Sequence, residues 1–133
     1  MKRLVIDLDD TLTVAGSRDY ANVPVRADVV EKLKEYKARG FEIVIMTARN
    51  MRTFEGAVGK INVHTLPVIL EWLDRHAVPY DEVVVGKPWC GTEGFYVDDK
   101  ALRPDEFVSL GYEDVKTLLR IEPGSAPGQE PAT

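Results

Sequence analysis

Asp7 and Asp9 stand two residues apart at the end of an apolar run, Leu4-Val5-Ile6. A strand there sends both side chains the same way. Two crowded carboxylates repel and are costly to bury, so such a pair is kept for a cation between them or for acid–base work. Asp10 and Thr11 also suit a capping turn, the plainer role for an acidic cluster. Further polar residues follow other apolar runs: Thr47 after Phe41–Met46, Lys87 within Val85-Gly86-Lys87-Pro88, and Asp98-Asp99 after Gly94-Phe95-Tyr96-Val97. Singly, these read as a turn cap, a solvated lysine and a helix cap. Together, in order and at successive strand ends, they describe one site. The chemistry that suits them is phosphoryl transfer, whose transition state spreads negative charge over three oxygens. Asp7, Asp9 and Asp98 form an oxygen set for a hard cation such as Mg²⁺. Asp7 is placed to attack phosphorus, and Asp9 to protonate the leaving oxygen and then deprotonate water. Thr47 and Lys87 are placed to bind the phosphate.

Alternating strand and helix signals must position these residues. A polar stretch, 13–23, separates the first strand from a helix over about 28–39, with Val29, Val30, Leu33 and Tyr36 on one face and Gly40 at its end. A second strand covers Phe41–Met46. The segment 48–64 lacks apolar periodicity and reads as a loop. Thr65 caps a helix with Pro67 in its first turn and Leu66, Ile69, Leu70 and Leu73 as its stripe. Strands are expected at Glu82–Val85, at Gly94–Val97 and, briefly, at Phe107–Leu110, with a closing helix over 113–120. This order predicts an α/β fold with a mostly parallel sheet and ligands at the carboxyl ends of its strands. Residues 1–121 read as one domain. The tail 122–133, with three prolines and two glycines, reads as disordered.

Asp7-Leu8-Asp9-Asp10-Thr11, Thr47, Lys87 and Asp98-Asp99 resemble the four ordered motifs of the haloacid dehalogenase superfamily, over about residues 1–110. The resemblance implies a three-layer Rossmann-like core of strand order 5-4-1-2-3 and Mg²⁺-dependent phosphatase activity through an aspartyl-phosphate. It also implies Asp7 as nucleophile, Asp9 as acid/base, and Thr47 and Lys87 as phosphate binders. The metal ligands it implies are Asp7, Asp98 and the Asp9 main-chain carbonyl, with Asp99 behind them. Many relatives carry Gly at position 10. Dehalogenating relatives lack the second aspartate, so Asp9 favours phosphate chemistry. Thr47–Thr53 with Gly59–Asn62, Val85–Gly91, Phe95–Asp99, and Asp19-Tyr20 with Asn22 and Pro24 resemble the bacterial capsule-biosynthesis phosphatases. That narrower likeness implies a sugar or polyol phosphate in surface-polysaccharide synthesis.

Neither gap between motifs has room for a cap domain. The stretch 13–23 and the loop 48–64 are the local covers, and an open site is expected either to accept a large substrate or to be closed by a neighbouring subunit in a homo-oligomer. Arg49 and Asn50, directly after Thr47, are candidates to hold the substrate's non-transferred part. At 133 residues and net charge −5, the chain is an unlikely partner for nucleic acid, which sets a nucleic-acid 3′-end phosphatase behind a small-molecule phosphatase. A non-catalytic phosphate-binding regulatory domain would have no need of Asp9. One cysteine, Cys90, excludes an internal disulfide framework. The apolar run after Met1-Lys2-Arg3 stops too early for a signal peptide. A cytoplasmic protein that does not span a membrane is expected.

Overall fold

A computed structural model of the chain describes residues 1–122. Its elements are β1 (Arg3–Ile6), α1 (Ala27–Ala38), β2 (Glu42–Thr47), α2 (Val58–His64), α3 (Leu66–Arg75), β3 (Glu82–Val85), α4 (Pro104–Ser109) and α5 (Tyr112–Leu118). They fall into two compact units, Lys2–Tyr96 and the chain from Val97 on. The expected disordered tail lies, from residue 123, outside the described residues. Among those described, no helix is long and apolar enough to cross a membrane.

The first unit is built on a parallel sheet of order β1-β2-β3. Ile6 lies beside Ile45, and Thr47 beside Val85. Ile6, Ile43 and Ile45, on one face of the sheet, are buried, as are Val29, Val30 and Leu33 of α1. α1 ends as its sequence predicts. Gly40 takes φ +94°, the Gly40 N–H donates to Lys37 O and the Phe41 N–H to Tyr36 O. The Tyr36 and Phe41 rings meet edge to face at 5.1 Å, the apolar contact that accompanies this kind of helix end.

α3 fastens the stretch after β1 to the core. Trp72, fully buried, donates its indole N–H to Val23 O at 2.8 Å, and Arg75 Nη2 donates to Ala21 O. Trp72→Phe leaves that buried carbonyl without a donor. It is expected to cost about 1–3 kcal/mol in chemical denaturation, and an unchanged midpoint would show that the tie is not made.

Three expectations from the sequence are corrected. Residues 58–64, read as loop, form α2. Its signal was weak because Gly59 interrupts it and only Ile61 is buried in it. Phe107–Leu110, read as a strand, falls largely within α4. Pro104 sits in the first turn, and Glu106 Oε1 accepts the Arg103 N–H at 2.9 Å, so a strong helix start overrides a short apolar run. Gly94–Val97, read as the fourth strand, is irregular. The observed order is therefore the 1-2-3 part of the expected one, and no strand lies outside β1 among the described residues.

Candidate active site

Thr47 ends β2, and Asp7 and Lys87 lie just past the carboxyl ends of β1 and β3, so the parallel sheet gathers them at one end. Asp7 follows Ile6 directly, and Leu8 and Leu12, both fully buried, anchor the turn after it. In that turn Leu8 O accepts the N–H groups of Leu12 and Thr13 at 2.9 and 3.1 Å. Asp10 has φ +61°, a left-handed conformation that glycine takes freely and aspartate tolerates. The Asp10 carboxylate accepts the Gly16 N–H at 3.1 Å, so its work is to shape the loop that follows.

The two motif carboxylates each have their own cation. Lys87 Nζ lies 3.6 Å from Asp7 Oδ1. Lys87 is held there by its backbone, whose N–H donates to Thr47 O at 3.1 Å. Gly86 makes the approach possible: it has φ +90°, and a Cβ on it would stand 3.1 Å from Val58 Cγ2. Arg49 grips Asp9 with a fork, Nη2 to Oδ1 at 2.7 Å and Nε to Oδ2 at 3.1 Å. The Arg49 side chain is 1% exposed and that of Asp9 23%. Such a bidentate pair fixes the plane of the carboxylate as well as its position.

Burial pushes the Asp7 carboxyl above its ordinary value. The Lys87 ammonium pulls it back, the Leu8 N–H helps, and Asp9 adds a smaller push upward. Desolvation therefore outweighs repulsion between the pair, which the second cation on Asp9 relieves. Asp7 is placed in a costly environment, as a group kept for reaction would be.

Thr47 is buried, and its Oγ1 accepts the Arg49 N–H at 3.0 Å. Its hydroxyl hydrogen remains available to an acceptor. Arg49 Nη1 is buried with no hydrogen-bond partner, and the face of its guanidinium lies 4.1 Å from the centre of the Tyr20 ring. Tyr20 comes from the loop after β1, closed at its base by a bridge between Thr13 and Val25. Tyr20, Arg49, Asn50, His64, Thr65 and Val68 line a cleft of about 220 Å³. Asn50, at φ +62°, accepts the Thr65 hydroxyl at 2.7 Å. Thr65 thus sits at the start of α3 without capping it through its side chain. In the sequence Tyr20 entered only as part of the Asp19-Tyr20 pattern, with no role of its own at the site.

The structure thus brings together Asp7, Asp9, Thr47, Arg49 and Lys87, with Asn50 beside them in the cleft wall. Asp98 and Asp99 belong to the second unit. There Asp98 Oδ1 accepts the Lys100 N–H at 2.8 Å. Among the described residues no three His, Cys, Asp or Glu side chains are grouped to hold a metal ion.

Comparison with solved structures finds a protein of Vibrio cholerae, solved as a structural-genomics target, at 63% identity and TM-score 0.88, over 90% of this chain and 98% of that one. The chain belongs to that protein's family. A Pnkp1/Rnl/Hen1 complex also matches, at 20% identity and TM-score 0.47, over 82% of this chain and 34% of that one, a level at which nothing further follows. No protein-family model matches the chain, and no curated protein does.

Proposed function

We propose that this protein is a Mg²⁺-dependent phosphatase of the haloacid dehalogenase type. The observation that carries the reading is the Asp7–Lys87 pair at the carboxyl ends of three parallel strands, with the second aspartate clamped separately by Arg49. A desolvated carboxylate beside an ammonium is suited to attack an anionic ester, because the same cation neutralises nucleophile and phosphate.

In this mechanism an Asp7 carboxylate oxygen attacks phosphorus as the bond from phosphorus to the ester oxygen breaks. Asp9 gives its proton to the departing oxygen, which leaves as an alcohol. Asp9 then takes a proton from water as that water attacks phosphorus, releasing phosphate and restoring both aspartates. Arg49 keeps the Asp9 carboxyl in one plane through both steps. The Thr47 hydroxyl and the Lys87 ammonium hold the equatorial oxygens. Within Lys2–Tyr96 the oxygens a hard cation would take are Asp7 and the Asp9 main-chain carbonyl, the fork on the Asp9 side chain leaving that carbonyl as its contribution, and Asp98 would be the third ligand with Asp99 behind it. Bound there, Mg²⁺ would offset the charge gathered between Asp7 and the phosphate.

The substrate we propose is small, a sugar or polyol phosphate of surface-polysaccharide synthesis. The cleft beside the fork suits a polar group of that size, with Arg49 and Asn50 in its wall. A net charge of −5 opposes a polynucleotide. These features, with a core of order 5-4-1-2-3 and a cytoplasmic setting, make up the full reading.

Hydrolysis of a panel of sugar, polyol and nucleotide phosphates and a 3′-phosphorylated oligonucleotide tests it. Turnover of a small ester that is abolished by chelator and restored by Mg²⁺ is expected. Turnover indifferent to chelator contradicts the metal, preference for the oligonucleotide contradicts the substrate class, and no release from any member contradicts the enzyme.

A further inference from the structure

We propose that two copies of this chain exchange their C-terminal parts. The segment Phe95–Asp98 of each copy lies as a parallel strand along the free edge of β1 in the other, bringing the partner's Asp98 to the end of β1. The exchange stands on the free edge of β1 and the exposed segment. Its register, with Asp98 beside Asp7, and its consequence for Asp98 as a metal ligand rest on the phosphatase reading.

The first ground is length. A strand parallel to β1 that ends at Asp98 beside Asp7 must begin at the opposite end of the sheet, outside β1. From Val85, the end of β3, the chain would cross β2 and β1 and descend the length of a strand. Three strand spacings are about 14 Å sideways, and four residues about 13 Å down. The link 86–93 has eight residues, and parallel crossovers take a dozen or more, usually with a helix. The link makes no such crossing. The Tyr96 hydroxyl donates to Pro88 O at 2.6 Å, and Lys87 Nζ lies 4.3 Å from the centre of the Tyr96 ring. After nearly the whole link, the chain is still tied to where it began. A chain so held does not pair with its own β1, and a second copy can.

The second ground is exposure. Parallel sheets are normally covered on both faces, yet Val5 of β1 is 57% exposed and Val84 of β3 is 39% exposed. β1 also presents an unpaired row of main-chain groups, a ready template for another strand. The apolar segment with strand-forming residues has the matching defect: Phe95 is 81% and Val97 88% exposed. Among the described residues, those at 97–122 belong to a separate compact unit, whose boundary falls within the exchanged segment. A symmetric exchange satisfies both edges and closes at two copies.

Two experiments on the full chain test this. In a Cys90→Ser background, Val5→Cys and Tyr96→Cys, which this register places side by side on one face, are combined, treated with a short bis-maleimide and run under denaturing conditions. A covalent dimer is expected, alongside a dimer mass for the wild type in light scattering. A link closed within one chain, or a wild type that is monomeric at micromolar concentration, overturns the exchange. This arm does not depend on activity. In the second, Asp7→Asn and Asp98→Asn are mixed, unfolded and refolded together. Half the dimers are then mixed and each has one intact site of two, so about a quarter of wild-type turnover should return although each variant alone is inactive. A dimer whose wild type is active but whose variants do not complement overturns the shared site. A wild type that hydrolyses nothing counts against the phosphatase reading, and the cross-link then decides the exchange.

Discussion

Asp7→Asn is expected to abolish turnover and at the same time to raise the melting temperature at neutral pH. Loss of a nucleophile costs on the order of 10⁴-fold or more in kcat. The gain in stability follows from the raised pKa of Asp7, whose main cause is burial. In the unfolded chain the carboxyl ionises at its ordinary value near 3.8, and in the folded chain it does so only at higher pH. Below the ordinary value Asp7 is neutral in both states and contributes nothing. As pH rises through the window up to the raised value, the unfolded chain releases the proton more readily, and folding loses stability. At neutral pH the full cost is present, and a neutral amide removes it. Thermal melts of both forms between pH 3 and 8 check this. The advantage of Asp7→Asn should be absent at the acid end and grow as Asp7 ionises; a variant less stable at neutral pH would show that the carboxylate is held at no cost.

Two residues away, Asp9→Ala should act in the opposite direction on stability. It strips the counter-ion from a guanidinium whose side chain is 1% exposed, and breaking a buried pair from one side costs about 3–5 kcal/mol. Turnover should fall by about 10²- to 10⁴-fold, the range of a lost acid/base group. Asp9→Asn separates the two effects, because an amide oxygen can still accept from the fork. With one acceptor and no charge, it should recover part of the stability and little of the activity. Urea denaturation of the three forms, read beside kcat, would contradict the clamp if Asp9→Ala unfolded at the wild-type midpoint.

The strands at 3–6, 42–47 and 82–85 were legible because each is a short apolar run that ends at, or within two residues of, a site residue: Asp7, Thr47 and Lys87. Gly40 marked the end of α1 for a conformational reason that the structure bears out. The division of labour among the charges was not legible. Arg49 looked like a substrate residue, since adjacency to Thr47 is visible in sequence, whereas a fork closing on Asp9 across 40 positions is a tertiary fact. α2 was hidden by Gly59, and α4 by an apolar run that Pro104 and Glu106 redirected into a helix. The segment 94–97 has the composition of a strand without a strand's conformation. Local residues specify the propensity, but the segment is tied back to Pro88 by Tyr96 and pairs with no strand of its own chain.

The measurement that reaches the central claim most directly is capture of the covalent intermediate. The protein turning over p-nitrophenyl phosphate, or the best ester of the panel, is quenched in acid and reduced with borohydride, and the peptide containing Asp7 is read by mass spectrometry. An acyl-phosphate on Asp7 is reduced to the alcohol, so homoserine at position 7 is expected, dependent on substrate and absent from Asp7→Asn. Phosphate release with Asp7 unaltered, or with the modification on another carboxylate, would contradict the assignment of Asp7 as the nucleophile.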